Sequence, residues 1–229
     1  AIWAIVHISG KWDLGLGITV ENIYEYYGVF ESILTNYLPY IKDFNTTIYS
    51  PIFYYAKAYL VEKNDTSKVR ILGGKQKVAY DEIDFKILYA LSANARSSVI
   101  DLAKEVGVSS ELFTYRRKQL EKKGIIQGYR AMIDVEKLGY LFFKTEIRLA
   151  SYKHTDKIMG FCHAHPNIYQ VNKTIGGETL EIEFNVKNIQ EMFKILSEVE
   201  KLFPKTIESY DYITVLSEEK IVDLPVKKF

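Results

Sequence analysis

Asp81-Glu-Ile-Asp-Phe-Lys-Ile-Leu-Tyr-Ala-Leu91, Ala95-Arg-Ser-Ser-Val-Ile-Asp-Leu-Ala-Lys-Glu-Val-Gly107 and Ser109-Ser-Glu-Leu-Phe-Thr-Tyr-Arg-Arg-Lys-Gln-Leu-Glu-Lys-Lys-Gly124 read as three short helices in succession. Asp81 is placed to cap the first, with Asp84 three residues on, close to a capping-box spacing. Ile83, Ile87, Leu88 and Leu91 then recur at helical period. Ser98 caps the second, Leu102, Ala103 and Val106 face inward, and Gly107 stops it. The third starts at Ser109 or Ser110 and ends at Gly124, with Lys122 and Lys123 in the last turn where the helix dipole favours cations. Only about three residues join the second and third helices, as a helix-turn-helix corner requires. Ile125-Ile-Gln-Gly-Tyr-Arg-Ala-Met-Ile-Asp134 follows and reads as a hairpin. The whole has the order of a winged helix-turn-helix.

Phe113 and Leu120 of the third helix lie seven apart and face the small core. The opposite face carries Ser110, Glu111, Thr114, Tyr115, Lys118 and Lys122. From Ser109 to Arg130 there are six Lys/Arg against two Glu, a formal +4, in a chain whose total is +1. Arg and Lys meet phosphates and guanine edges, and Ser, Thr and Tyr bond to phosphate or base, so this mix suits a DNA recognition helix. The candidate DNA contacts are therefore Ser109, Ser110, Glu111, Thr114, Tyr115, Lys118 and Lys122. Arg116 and Arg130 reach toward the backbone, and Ser98 offers a helix start to phosphate. Gln127 and Tyr129 join Arg130 for sugar-phosphate contacts. The bland alternative is a solvated basic helix.

The 229 residues allow one domain or two small ones. With 48% apolar and 26% charged residues the composition is that of an ordinary globular protein. Near-zero net charge excludes a general polyanion binder but allows a local DNA site. A single cysteine, Cys162, excludes an intrachain disulfide framework and fits a reducing, cytoplasmic setting. No apolar run is long enough for a membrane helix. The first eight residues lack the basic leader and cleavage site of a signal peptide and read as a strand.

Before the helices, 1–9 and 12–20 read as paired strands, with Gly15 and Gly17 marking a bulge or a close approach. Residues 22–38 carry a helical apolar stripe, and 41–60 are strand-like, broken near Pro51. Residues 61–80 are polar, contain Gly73-Gly74, and read as a linker with a short strand at 69–72. After Asp134 the expected elements are a strand at 141–152, a helix at 155–165, strands at 168–175 and 179–186, a helix at 189–203 and a strand at 207–216. This β-α-β-β-α-β order is the ferredoxin-like arrangement.

The chain also repeats. Shifting it by 166 positions places Gly10 on Gly176, Val20 on Val186, Asn22 on Asn188, Ile23 on Ile189, Tyr27 on Phe193 and Ile41 on Ile207. Residues 1–50 thus read as a second β-β-α-β half whose first β-α unit is absent, leaving its helix poorly supported. The expected fold is α+β: a winged helix-turn-helix plus a ferredoxin-like effector domain, preceded by a partial second copy of that domain. The expected divisions are 1–62, a linker at 63–80, 81–134 and 138–229. The chain starts with Ala1 rather than Met, and we expect it to continue upstream or to have the gap filled by a partner.

The run Asp81-x-x-Asp84-x-x-Ile87-Leu88, Asn94-Ala-Arg96, Leu102-Ala103, Val106-Gly-Val-Ser109, Arg116, Leu120-Glu-x-x-Gly124-Ile125-Ile126-x-Gly128-Tyr129 and Leu138-Gly139-Tyr140 resembles the Lrp/AsnC family of feast/famine regulators. The resemblance covers 81–229. Residues 1–60 resemble the later part of another effector domain, as in the tail of a tandem archaeal member. It implies double-stranded DNA as partner, dimers or higher homo-oligomers formed through effector domains, and an amino-acid effector near a Gly-x-x-Asp turn, with no other cofactor. The implied effector residues are Gly10 and Asp13 in the first copy and Gly176, Gly177 and Thr179 in the second. Thr179 stands where the family has Asp, which weakens that site for an ammonium group. Arg117 stands where the family has an aliphatic residue and should run out past the core. The expected fold places dimer contacts along 141–151 and 207–216, with the tail 221–226 on a neighbour. Some tetrapyrrole decarboxylases resemble the same two-domain fold, which makes an enzyme using His163 or His165 with an Arg the alternative. A module whose winged helix only docks protein is the third reading. No nucleophile–base or carboxylate pair supports catalysis. Cys162-His163-Ala-His165 with His154 lacks a second cluster to complete a metal site.

Overall fold

A computed structural model describes residues 2–61, 69–73, 78–221 and 224. The expected polar stretch 62–68, Gly74 and most of the tail at 221–226 lie outside them. In chain order the elements are β1 (Ile2–Ser9), β2 (Leu14–Ile18), α1 (Ile23–Tyr37), β3 (Ile48–Tyr54), β4 (Arg70–Leu72), α2 (Glu82–Asn94), α3 (Val99–Val106) and α4 (Ser110–Lys122). There follow β5 (Leu141–Leu149), α5 (Thr155–Ala164), β6 (Ile168–Ile175), β7 (Leu180–Val186), α6 (Ile189–Leu202) and β8 (Ile207–Ile221).

The strands form one sheet in the order β2-β1-β8-β5-β7-β6-β3-β4. Its centre, β8-β5-β7-β6, is antiparallel throughout and has the ferredoxin-like order. The apolar residues of β5, β6 and β7 alternate onto one face, where Ile158 and Cys162 of α5 and Met192, Ile195, Leu196 and Val199 of α6 complete the core. A separate core holds the three-helix unit: Ile87, Ala90, Leu91, Leu102, Ala103, Phe113 and Leu120.

The repeat extends to the helix caps. Asn22 at the start of α1 accepts from the Tyr24 and Glu25 amides, and Asn188 at the start of α6 accepts from Glu191. Glu25 reaches back to the Glu21 amide at 2.9 Å, and Glu191 to the Lys187 amide at 2.8 Å. The same two bonds, Asn onto the first turn and Glu back to the residue before the cap, thus recur at positions related by 166. The partial copy does not build a sheet of its own, however. Its hairpin β1-β2 pairs with β8, while β3 crosses to the far side and pairs with β6. The missing central strand explains the split, because without it nothing joins β2 to β3.

One expectation changes. Residues 125–134 form no strand pair; Gln127 instead bonds both ways to the Ile71 backbone of β4, at 2.7 and 2.6 Å. The short strand expected at 69–72 within the linker is present as β4 and joins the edge of the sheet. Of the strands expected to carry dimer contacts, β5 is central, while β8 pairs with β5 over Ile207–Val215 and with β1 only over Thr214–Ile221, so the outer edge of Ile207–Ile213 pairs with no strand among the described residues. The glycines in β2 admit neighbours: a Cβ at Gly15 would lie 2.7 Å from Val6, and one at Gly17 2.6 Å from Trp3.

Candidate nucleic-acid interface

The local sequence builds the helix-turn-helix by caps. Asp81 and Asp84 form a capping box at α2, Ser98 accepts from the Asp101 amide at α3, and Ser109 accepts from the Leu112 amide at α4. Gly107 takes the left-handed conformation, φ +80°, and turns the chain between α3 and α4. Phe113 and Leu120, both fully buried, fix the roll of α4. Glu111, Tyr115, Lys118 and Lys122 then form an outward stripe, all exposed, with Thr114 and Ser110 half-buried on its flank. Lys118 and Lys122 make no ion pair among the described residues. The Glu111 carboxyl is held below the ordinary range by its own backbone amide and the Ser109 hydroxyl, so it stays an acceptor.

Other predicted contacts have partners within the chain. Arg116 pairs with Asp81 at 2.6 Å and with the buried Asp84 at 3.2 Å, locking α4 to the start of α2. The Ser98 hydroxyl donates to Asp101 at 2.7 Å. Arg130 lies over the Tyr54 ring at 5.8 Å, on the sheet side, where Glu218 lies near it. Tyr129 donates to Glu121 at 2.9 Å, and burial with that carboxylate pushes its phenol up to about 12. Arg117 runs past the core to within 3.7 Å of Glu121 with its Nε buried. Acids outside the region thus offset Arg116 and Arg130, while Lys118, Lys122 and Lys123 stay exposed with no ion pair among the described residues.

The two effector turns are not brought together, because β8, β5 and β7 lie between β1 and β6. Gly10 packs on the backbone of β8, where a Cβ would lie 3.0 Å from the Tyr212 carbonyl. Asp13 is exposed. Thr179 donates to the Ile147 carbonyl at 2.9 Å and accepts from the Leu149 amide at 2.8 Å, so its hydroxyl extends the sheet. Gly176 and Gly177, both at positive φ and exposed, lie against the first copy: added Cβ atoms would meet the Thr46 carbonyl at 3.0 Å and Thr47 Oγ1 at 2.7 Å. Sequence reasoning missed residues 45–47 here; the paired glycines signalled a close approach without naming its source.

It also missed a buried polar layer joining the copies. Lys144 pairs with Glu181 at 2.7 Å and donates to the Tyr49 hydroxyl of β3 at 2.6 Å. Gln170 and Asn172 donate to Glu183, and Tyr169 donates to it at 2.8 Å. Burial works against the Lys144 ammonium, but Tyr49, Glu181 and Glu183 outweigh it and hold its pKa above the ordinary lysine value. The alternation of charged with apolar residues along β7 was the available signal.

The residues weighed for metal or catalysis are dispersed. Cys162 is in the core and its thiol is pushed up to about 12 by burial. His163 packs on Tyr55, His165 on Phe161 and His154 on Phe203. Among the described residues no group of three His, Cys, Asp or Glu is placed to hold a metal, and no helix is long and apolar enough to cross a membrane.

Residues 80–127 match the family model described as winged helix-turn-helix DNA-binding. The leucine-responsive regulatory protein of Haemophilus influenzae is 30% identical over 166 residues, 71% of this chain and 99% of that protein. The HTH-type transcriptional regulator FL11 of Pyrococcus horikoshii is 24% identical over 66% of this chain and 99% of its own length. Escherichia coli AsnC superposes with a TM-score of 0.56 at 26% identity, covering 64% of this chain and 99% of that one. A Neisseria meningitidis transcriptional regulator solved as an L-Met complex gives 0.57 at 21% identity, covering 64% and 97%. The capped three-helix unit, the ferredoxin-like sheet behind it and the full-length match to a leucine-responsive regulator together show that this chain belongs to the Lrp/AsnC family of DNA-binding transcription regulators.

Proposed function

We propose that the chain is a sequence-specific regulator that reads double-stranded DNA with the outward stripe of α4 as a homodimer or larger homo-oligomer in the cytoplasm. The carrying observation is that stripe: Glu111, Tyr115, Lys118 and Lys122 lie exposed on one side of a helix whose other side is locked into a core. A dimer would present two such helices to successive major grooves, so a pseudo-palindromic site is expected. Arg116 positions α4 rather than contacting phosphate. Membership of a regulator family removes the ground for the decarboxylase reading.

The divisions 1–62, 63–80, 81–134 and 138–229 are the working domain limits, with 1–62 a partial effector domain as in the tail of a tandem archaeal member. An amino acid is the proposed effector, by analogy with the methionine-bound relative. The residues considered for it are Gly10, Asp13, Gly176, Gly177 and Thr179; Gly176 and Gly177 lie against residues 45–47, so an effector on them would have to displace that segment. An effector that bound one assembly more tightly would shift DNA affinity by linkage.

The test is fluorescence anisotropy with sheared genomic DNA and a salt series, comparing the chain with its Lys118→Ala/Lys122→Ala variant. Tight, salt-sensitive binding that weakens in the variant supports the reading. Equal binding by both at low salt overturns it.

A further inference from the structure

Glu111 and Glu121 both lie on α4, and the fold treats them differently. Glu121, near the C-terminal end, accepts from the Tyr129 hydroxyl at 2.9 Å and lies 3.7 Å from Arg117 Nε. Glu111, in the first turn, is exposed and has no cation acting on it; its own backbone amide and the Ser109 hydroxyl keep its carboxyl ionised. The stripe that starts at Glu111 runs on through Tyr115 to Lys118 and Lys122, both exposed and without an ion pair among the described residues. Charge is therefore graded along one helix face, an anion at the N-terminal end and cations about 10 and about 16 Å further along the axis.

On DNA this grading sets an orientation. A recognition helix enters the major groove with its N-terminal residues at the base edges. The groove is about 12 Å wide, so with Glu111 at its floor the two lysines reach the phosphates at its rim. The reverse placement would set an uncompensated carboxylate against phosphate. A carboxylate can only accept, so at the floor it binds only a base that offers a donor there. Guanine and thymine offer acceptors. Adenine offers its N6 amino group but sets the N7 acceptor beside it, against the second carboxylate oxygen. Cytosine offers its N4 amino group with no acceptor alongside on the same base.

We propose that Glu111 is a specificity-determining residue of α4 and selects a cytosine in each half-site by accepting from its N4 amino group. The inference rests on the reading of α4 as the recognition helix. The other role open to a first-turn glutamate is to close free helix amides. That role predicts a loss of stability with no change in the base preferred.

The experiment selects duplexes from a randomised pool with the full chain, then measures affinities for single-base changes in the selected site at fixed salt. Wild type should yield a consensus with a cytosine in each half-site whose replacement by thymine costs roughly ten-fold in affinity. Glu111→Ala should erase that cost and leave the preferences at other positions as they were. Glu111→Gln should move the preference to adenine, whose N6 and N7 a glutamine meets together. It also keeps the shape of the side chain, so it carries the test if Glu111→Ala melts below the assay temperature. Glu121→Gln removes the same charge from the same helix and should retain the cytosine. A cytosine preference that survives Glu111→Gln, or a wild-type consensus without such a cytosine, overturns the inference and leaves the regulator reading in place. A pool that yields no consensus overturns both.

Discussion

The Arg116 guanidinium of α4 lies 2.6 Å from the Asp81 carboxylate that caps α2. One ion pair therefore ends a helix, orients the recognition helix and removes a cation from the DNA-facing surface. Its pKa consequences agree on both sides: Asp81 is lowered, first by the Asp84 amide and then by Arg116, and Arg116 is raised by Asp81.

That relationship separates two kinds of basic residue on α4. Lys118→Ala/Lys122→Ala should reduce the slope of log affinity against log salt by about 2, one phosphate each, with little effect on thermal stability. Arg116→Ala should lower the melting temperature and leave that slope unchanged. A slope reduced as much by Arg116→Ala as by a lysine variant would show that the arginine leaves Asp81 to meet phosphate.

Phe113 is fully buried at the centre of the three-helix core. Phe113→Ala should cost about 3–5 kcal/mol of that unit's stability, the usual range for deleting a buried ring. The sheet has its own core. Urea unfolding followed by circular dichroism should then show early loss of the helical unit and a retained sheet transition. A single transition moved as a whole would mean that the two cores unfold together.

Glu183 is buried, and burial raises its pKa above the ordinary carboxylate range against the opposing pull of Lys144 and Tyr169. A raised folded-state pKa means that the native protein binds this proton more tightly than the unfolded chain does. Its contribution to stability is full below the ordinary glutamate pKa and is lost as pH rises through the raised value. Melting temperatures across about pH 4–8 should show that the difference between wild type and Glu183→Gln changes in this direction. A difference independent of pH would show that Glu183 has the same protonation in both states.

How legible this was depends on whether the determinant is local. Caps at Asp81, Ser98 and Ser109 act over three residues, and the apolar periods of α2 and α6 repeat within one element, so the sequence displays both. The 166-residue shift aligned Asn22 with Asn188, and each proves to cap the helix of its own copy. Arg116–Asp81 and Lys144–Tyr49 span 35 and 95 residues. Their partners are chosen by packing, which no spacing rule encodes. The expected hairpin at 125–134 was displaced for a similar reason: β4, 56 residues away in sequence, offers Gln127 both backbone groups of Ile71.

The contact between Gly177 and residues 45–47 gives the most direct test of how the copies are held together. Gly177 has φ +75°, a conformation that side chains resist, and a Cβ there would lie 2.7 Å from Thr47 Oγ1. Gly177→Ala should therefore strain the turn and push the 45–47 segment away, at a cost of about 1–3 kcal/mol. The Tyr26–Thr46 hydrogen bond, 2.6 Å long, ties that segment to α1, so the disturbance should spread to the helix. Faster amide exchange at 45–48 and in the first turns of α1, with α6 unchanged, is the expected pattern. If exchange accelerates equally in α1 and α6, the substitution has loosened the β6–β7 hairpin itself, and the contact between copies is not what Gly177 supports.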